Sequence, residues 1–528
     1  MPPQSATVCP MYLHAFSHPT DDPQLVSYVR PELRALDDQL KRTRDCYSLM
    51  RSGDGHQTLS EYLPQEEGEP DRCYTARLNR STYTSAFRDA IRAFAGVLSQ
   101  YQLKELPSSV DDALNNVDLL GSSMSKFLNT LDQMVLRDGG VAVLVDMPQA
   151  QPVGSALEEI QQEIRPYLIA VERTNVINWR TRMVNGREVL ESAVVRMLQE
   201  LPTQDGAFGA ELEPVYIHLM PGAFRKYRLE RDAQRWNMIL LEEGVTSLQE
   251  VPLVWYGATG SKFGSGEVPL IGMADLSIQH LQLRSDLAEL IHKLSMPVPV
   301  RVGAPTDAMG RPMPLTLGPN SAVDLPLEGS FSFAEPGGGS LAQHQAEITH
   351  VEQLMDRSSL AFLYGGEGGN RTATEVMLTG AQVAAQVTTL TENKQSLFDQ
   401  ILQLWSAYTV EPLNPDAGLE VADNLIQRPL DPGESQALLG LFSANALSHQ
   451  TLLEELQRGH VLSDLLDIEE ELARVAEEKK KAQQEAMAIM QQASPGPEQF
   501  APSPGPDPEE QQQPPRPEQQ NNRPEPGA

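Results

Sequence analysis

The stretch from Pro269 to Val410 decides the fold. Its first part reads PLIGMADLSIQHLQLRSDLAELIHKLSMPVPVRV (269–302), and a later part reads EPGGGSLAQHQAEITHVEQLMDRSSLAFLYGGEGGNR (335–371). These letters predict a helix, a proline-rich extended insert, a second helix, a glycine-rich loop and a long third helix. No catalytic signature overlaps the stretch, so a mechanical role is expected for it.

The first predicted helix carries a narrow apolar stripe. Its members recur in steps of three and four residues, which suits packing against neighbouring helices. His280 lies in the stripe, and a packed or hydrogen-bonded histidine is favoured over a metal ligand because no second ligand stands four residues away. The stripe consists of Leu276, His280, Leu283, Leu287, Leu290 and Leu294.

The insert after Pro297 predicts a small β module. Val298, Val300 and Val302 alternate with proline and arginine, which indicates an edge strand because proline cannot donate to a sheet ladder. A module of roughly forty residues hardly buries a core alone, so it is expected to need neighbours. Turn signals stand at Met309 to Pro312, Gly318 to Asn320, and Glu328-Gly329.

The second and third helices flank a run of glycines. Leu341, Ile348, Val351 and Met355 give the second helix an apolar side. Gly365 to Gly369 then interrupts the helical pattern. From Ala381 to Val410 the chain has neither Gly nor Pro, and about thirty helical residues would span roughly 45 Å. A helix of that length is expected to cross an entire domain.

Residues 82–260 predict an α+β body in which helices come first and a mostly antiparallel sheet follows. Helices are expected at 82–104 and 123–137, and Asp138-Gly139-Gly140 ends the second. Residues 1–80 read as irregular, with one helical patch near 31–50. The strand candidates are Val141–Val145, Tyr167–Val171, Asn175–Trp179, Ala193–Leu198, Val215–Met220, Trp236–Leu241 and Val251–Tyr256.

The C-terminal part predicts short helices and then a polar tail. After Pro412, one helix is expected from the N-cap Ser448 to Gly459. From about Gln492 the composition shifts to Pro, Gln, Glu and Asn, which is typical of disorder.

Composition limits the possible functions. The 528 residues suit two to four modules. Lys and Arg number 41 and Asp and Glu 72, and the net charge of −31 disfavours tight binding to phosphates. Three cysteines without CxxC spacing indicate a reducing compartment. No signal peptide is expected, and the apolar runs are too short to cross a bilayer, so no membrane partner is predicted.

Enzymatic motifs are incomplete. Residues 256–262 suggest a phosphate loop, but Ser261 separates Gly260 from Lys262, whereas the motif needs Gly-Lys-Ser/Thr. The run Gly365 to Gly369 could cradle a phosphate, yet Glu367 would repel it, and a hinge is favoured. We therefore predict no catalytic residue, no cofactor and no metal site, and expect that the chain is not an enzyme.

The order of elements, together with three local segments, resembles tailed-bacteriophage portal proteins, the head-to-tail connectors. The resemblance covers roughly residues 80–475, and the third segment looks like the Gly-x-x-Pro-Leu sequence before a portal's first stem helix. The segments are Arg137-Asp138-Gly139-Gly140 before Val141–Met147, Arg165-Pro166-Tyr167 through Asn178-Trp179-Arg180, and Phe263-Gly264-Ser265-Gly266-Glu267-Val268-Pro269-Leu270.

The resemblance implies an α+β, mainly helical, portal-like fold. An N-terminal region (1–81) that matches nothing precedes it. The implied parts are the wing (82–268), the first stem helix (269–295), the clip (296–339), the second stem helix (340–363), the tunnel loop (364–372), the long wing helix (373–411), the helical crown (412–491) and a disordered tail (492–528).

The resemblance also implies a function. Portal proteins form dodecameric rings at one capsid vertex, and double-stranded DNA passes through the ring during packaging and ejection. Implied partners are further copies of the chain, weakly contacted DNA, the terminase large subunit, a head–tail adaptor, and major capsid and scaffold proteins. The protein would reside in the virion at the portal vertex after assembly in the host cytoplasm.

Three sets of residues carry the implied roles. The tunnel loop around DNA would comprise Tyr364, Gly365, Gly366, Glu367, Gly368, Gly369, Asn370 and Arg371. The clip would dock terminase and adaptor through Arg301, Arg311, Pro312 and Asn320. The stem would pack through Leu276, Leu283, Leu287, Leu294, Ile348 and Val351.

Two other classes of protein stay open. An intracellular helical scaffold or adaptor explains the apolar stripes but not a β insert between two helices. A nucleotide-dependent packaging enzyme would need the phosphate loop that the sequence lacks.

Overall fold

A computed structural model describes most of the chain in two compact units, Met1–Arg428 and Pro429–Ala528. None of its described helices is long and apolar enough for a membrane span. The described residues are 18–50, 59–148, 164–202, 210–232, 235–294, 298–303, 306–307, 309–312, 325, 328–334, 339–359, 373–421, 432–444, 446–458, 461–462, 468 and 471–481.

Much of the described part of residues 1–81 is helical. The expectation of an irregular region is therefore wrong beyond the predicted patch near 31–50. The last of its helices has few apolar residues, and burial of Arg77 against Glu69, at 2.8 Å, holds it in place. Periodicity cannot reveal such a contact. The helices are α1 (Pro31–Arg34), α2 (Asp37–Tyr47), α3 (Leu59–Tyr62) and α4 (Asp71–Arg80).

Helices then precede the first sheet, as predicted. In α7, Ser123 accepts a hydrogen bond from Lys126 N and Gly139 follows the last turn at φ +77°, so both ends carry the expected signals. The helix predicted for 82–104 is shorter, because Tyr101–Lys104 forms strand β1. The elements are α5 (Ala86–Val97), β1 (Tyr101–Lys104), α6 (Ser108–Asp111) and α7 (Met124–Asp138).

Two antiparallel sheets follow in the described residues. The first has the order β3-β2-β9, with β2 (Gly140–Asp146) in the centre. The second is a meander in the order β4-β5-β6-β7-β8. All seven predicted strands exist, but β7 was missed because its residues AFRKYRLERD are rich in charge. The remaining strands are β3 (Tyr167–Glu172), β4 (Val176–Val184), β5 (Arg187–Pro202), β6 (Ala210–Met220), β7 (Ala223–Asp232), β8 (Arg235–Val245) and β9 (Leu253–Gly257).

The deciding stretch has the predicted order of elements. Helix α8 (Ile271–Leu294) leads to strands β10 (Val298–Val302) and β11 (Ser330–Ala334), which pair with each other. Helix α9 (Gly339–Ser358) follows. Helix α10 (Ala373–Thr409) has 37 residues and is about 55 Å long. Strand β12 (Gly418–Val421) then pairs with β1.

Three apolar clusters hold the first unit together. The largest surrounds α10, where Phe398 and Trp405 pack with Leu128 of α7 and Val143 of β2. The second lies between the two sheets, around Trp179 and Trp255. In the third, residues from the segment 25–40 cover the other face of the five-stranded sheet.

The second unit contains α11 (Pro432–Ser443), α12 (His449–Arg458) and a helical run at 471–481. Ser448 Oγ accepts from Thr451 N at 3.0 Å, which confirms the predicted N-cap. The predicted disordered tail lies outside the described residues.

Candidate stem, clip and junction

The two helices that flank the insert pack against each other. On α9, Ile348, Val351 and Met355 are buried. The role of Ile348 and Val351 in a portal stem stays a prediction. His280 of α8 is buried too, and its Nε2 lies 3.1 Å from Glu352 Oε1 of α9. His280 therefore links the helices as a hydrogen-bonded core residue. The described residues contain no group of side chains suited to hold a metal ion.

The leucine stripe of α8 is not its most buried face. Leu276, Leu283 and Leu287 are half-buried. At about 100° of rotation per residue, the centre of the most buried face lies about 120° around the helix axis from the centre of the leucine stripe. Of that face, the predicted stripe included only His280, because the face mixes small and polar residues with apolar ones. Its buried members are Met273, Ala274, Ser277, His280, Leu281 and Ser285.

The N-terminal helices brace α8. Arg42 of α2 makes an ion pair with Asp275 at 2.7 Å. Further along α8, Ser285 Oγ lies 2.9 Å from Ser81 Oγ, and both residues are buried. The region that the sequence could not place therefore has a structural role, because it holds α8 against the body.

A rigid junction precedes α8, built on Arg173. Its Nη1 donates to Asp138 O at 2.9 Å and to Gly266 O at 2.7 Å, while Nη2 donates to Gly264 O at 3.2 Å. Burial lowers the pKa of Arg173 to about 10, although Asp138 opposes the shift. One guanidinium thus ties the end of α7 to the loop that leads into the stem.

The glycines of this junction are required by close contacts. Gly264 has φ +74°, and a Cβ there would lie 2.2 Å from Trp179 Cζ2. Gly266 would place a Cβ 2.2 Å from the carbonyl oxygen of Gly139. Trp255 Nε1 donates to Ser265 O at 2.9 Å. The Phe-Gly-Ser-Gly sequence therefore forms a tightly packed elbow.

A buried ionic cluster lies beneath the elbow. Arg44 of α2 and Arg137 of α7 both reach Asp138 Oδ2, at 2.7 and 2.6 Å, and both also contact Glu172 of β3. Burial alone would raise the pKa of Asp138, but Arg137 and Arg44 outweigh it and lower the pKa to about 2. The cluster joins α2, α7 and β3 at the point where the stem begins.

The long helix α10 carries a second buried ion pair. Lys394 Nζ donates to Asp132 Oδ2 at 2.7 Å and to Leu98 O at 2.8 Å. Tyr256 OH donates to Asp132 Oδ1 at 3.0 Å. In the sequence, Lys394 interrupts apolar residues at helical spacing, such as Leu390 and Leu397. In the structure it anchors α10 within the body.

The β10–β11 hairpin exposes apolar side chains on both faces. In its register Val300 lies opposite Ser332, and Arg301 lies opposite Phe331, so valines and phenylalanines occupy opposite faces. Val302 is 58% exposed and Phe333 49% exposed. A two-stranded hairpin with two apolar faces is marginal in water, which indicates that neighbours cover it.

A tight turn carries two of the predicted docking residues. Asp307 Oδ1 accepts from Met309 N and Arg311 N, both at 2.9 Å, and Gly310 has φ +77°. Arg311 and Pro312 are exposed on this turn, whereas Arg301 is half-buried on β10. Asn320 lies outside the described residues.

Other predicted residues are also outside the description. They are the whole tunnel loop, Tyr364 to Arg371, and the side chain of Leu294 at the end of α8. Of the phosphate-loop look-alike, Tyr256 and Gly257 belong to β9, and Tyr256 is buried with its hydroxyl on Asp132.

Comparisons with known proteins give one family match and several distant structural similarities. A family described as a domain of unknown function, DUF4055, matches residues 269–409, nearly the whole deciding stretch. No curated protein matches the chain.

The similar solved structures come from gene transfer agent particles, each at 13% identity. A chain from the neck of an empty particle with C6 symmetry has a TM-score of 0.38, covering 75% of this chain and 96% of that one. A chain from the virion of the native particle has a TM-score of 0.35, with the same coverage of both chains. A chain from the neck of the native particle with C12 symmetry has a TM-score of 0.34, covering 70% of this chain and 89% of that one. Such low scores carry no argument about function.

Proposed function

We propose that this chain is the subunit of a portal ring, a homo-oligomeric conduit for double-stranded DNA at one capsid vertex. The observation that carries the proposal is the order of described elements: helix α8, hairpin β10–β11, helix α9 and the 37-residue helix α10. In this assignment α8 and α9 are the stem, β10–β11 is the clip, and α10 is the long wing helix.

Surface properties support an assembly of many copies. The clip exposes apolar residues on two faces, and the leucine stripe of α8 is only half-buried. Both features suit contacts between copies in a ring. The junction around Arg173 would keep each stem at a fixed angle to its wing while DNA passes.

The charge also fits a conduit. A net charge of −31 disfavours the neutralisation of many phosphates, so DNA would slide rather than bind. The subunit would have no catalytic activity of its own, and the packaging motor would be a separate terminase. The clip would dock terminase first and the head–tail adaptor later, and capsid and scaffold proteins would surround the ring.

Electron microscopy of the purified protein in negative stain tests the ring. We expect rings with a central hole, and a homogeneous monomer at high concentration, alone and with scaffold protein, would contradict the proposal. Deletion of residues 300–334 tests the clip separately. That variant should retain the fold of the body but lose terminase binding in a pull-down, and unchanged binding would refute the clip assignment.

A further inference from the structure

The five-stranded sheet has two different edges. β4 and β8 are its outer strands, and among the described residues neither pairs with another strand on its outer side. An outer strand presents backbone groups that can pair with another chain.

The β8 edge is unusually apolar for an outer strand. Leu240 is 48% exposed and Val245 is 88% exposed, and Met238 and Leu241 are exposed as well. Outer strands are commonly protected by lysine or proline, and β8 contains neither. A register shift near Leu241 divides β8 into two regular segments, so a partner strand would align with one of them.

The β4 edge is open only in its second half. Arg30 covers the first half, where its N donates to Ile177 O at 3.0 Å and its Nη1 to Trp179 O at 2.6 Å. The remaining residues, Arg180–Val184, include the exposed Arg180, Arg182 and Met183. This half of β4 is basic and contains no acidic residue.

Opposite charges lie on the same face at the two edges. Glu243 of β8 is opposite Arg225, Arg225 is opposite His218, and the register continues through Val194 to Asn178 of β4. Arg180 and Arg182 follow Asn178 at alternate positions, so they share this face. Burial lowers the pKa of His218, and the charges of Arg225 and then Arg180 lower it further.

The topology lets the two edges meet between copies. Neighbouring strands of the meander are antiparallel, so its first and fifth strands, β4 and β8, run in the same direction. A neighbouring copy related by rotation would therefore present its β4 parallel to β8. Such a contact uses different surfaces on the two partners and can close into a ring.

We propose that the β8 edge of one copy docks the Arg180–Val184 edge of a second copy, extending the sheet from subunit to subunit. The contact rests on the proposed ring, and it would cover the exposed leucines and methionines and bring Glu243 near Arg180 and Arg182.

A thiol cross-link tests the contact in the full-length chain. The background is Cys9→Ser/Cys73→Ser, with the buried Cys46 retained. Met183→Cys and Leu241→Cys are added singly and together, and a short bis-maleimide is applied before denaturing electrophoresis. The double variant should give a ladder of dimers, trimers and higher species, while each single variant stays monomeric.

The outcomes separate this contact from the ring itself. Rings in negative stain without a ladder would overturn the sheet-edge contact and leave the ring in place. A ladder without rings would support the contact and count against the ring. Dimers from Leu241→Cys alone would show two-fold pairing of β8 with β8 and would overturn the proposal.

A charge reversal gives an independent readout. Arg182→Glu should weaken subunit association about tenfold or more, because it places like charges beside Glu243. Arg92→Glu, on an exposed position of α5, is the matched control and should leave association unchanged. Equal association for both variants, with unchanged thermal unfolding, would contradict the contact.

Discussion

Single residues determine how firmly α8 and α10 are joined to the sheets of the first unit, and the sequence reveals only part of this. Lys394 was visible as a break in an apolar stripe, but its partner Asp132 is 262 residues away in sequence. Gly264 was visible as part of a motif, but the indole of Trp179 that excludes a side chain there was not. Periodicity reports which positions are apolar, whereas these contacts depend on the tertiary fold.

Replacing Lys394 with methionine should destabilise the body. Asp132 would remain buried without its cation, and breaking a buried pair in this way costs about 3–5 kcal/mol. Chemical denaturation followed by circular dichroism measures the free energy of unfolding. The double variant Lys394→Met/Asp132→Leu should recover most of the loss, and a double variant as unstable as the single one would contradict this account.

The stability conferred by Asp132 should depend on pH. Burial raises the pKa of Asp132 to about 6, although Lys394 opposes the shift. An acid whose pKa is raised by folding contributes stability below its unfolded pKa and loses it as pH rises through the folded value. Relative to Asp132→Asn, the wild type should therefore lose free energy of unfolding between pH 4 and 6. A relative gain over that range would contradict the prediction.

Two positive-φ glycines, Gly260 before the elbow and Gly264 within it, should differ in their tolerance of alanine. Gly260 has φ +76° and open space around a Cβ, so Gly260→Ala should cost only the backbone strain of about 1–2 kcal/mol. Gly264→Ala adds the clash with Trp179 and should cost a further 1–3 kcal/mol, roughly. Thermal unfolding compares the two variants, and equal losses would show that the elbow is loosely packed.

At the scale of elements, sequence patterns predicted the central stretch well because its helices are long and periodic. A turn at Met309 to Pro312 was predicted from glycine and proline, and strand β10 from valines that alternate with proline and arginine. Strand β7 and helix α4 were missed, since charged residues dominate both and neighbouring elements supply their stability. On α8, the predicted stripe included His280 but not the buried Ser277 and Ser285, because apolar periodicity does not report buried serines.

The two faces of the stem should respond differently to alanine. Ile348 of α9 is buried, so Ile348→Ala should lower the free energy of unfolding by about 2–5 kcal/mol. Leu287 is half-buried, and Leu287→Ala should cost about 1 kcal/mol or less in the monomer. Subunit association should instead be weakened by Leu287→Ala. Denaturation and sedimentation velocity measure the two effects, and a stable Ile348→Ala variant would place that residue outside the core.

At the scale of the whole molecule, the proposed assembly would depend on charge. The sequence alone predicted an acidic, solvated surface. The structure shows three surface regions that are not acidic: the apolar faces of β10 and β11, the apolar β8 edge and the basic half of β4. Each of these regions lies on an exposed strand. These strands are therefore the regions where copies of an otherwise repulsive chain can approach one another.

Salt should consequently promote assembly of the isolated protein. Each copy carries a net charge of −31, and the screening length falls from about 30 Å at 0.01 M salt to about 8 Å at 0.15 M. Long-range repulsion between copies is lost over that range, while apolar contacts at the clip and the β8 edge persist. Sedimentation velocity should therefore show a larger oligomeric fraction at 0.15 M, whereas any affinity for DNA should fall. Dissociation of oligomers on raising the salt would show that attraction between opposite charges, rather than apolar contact, holds the copies together.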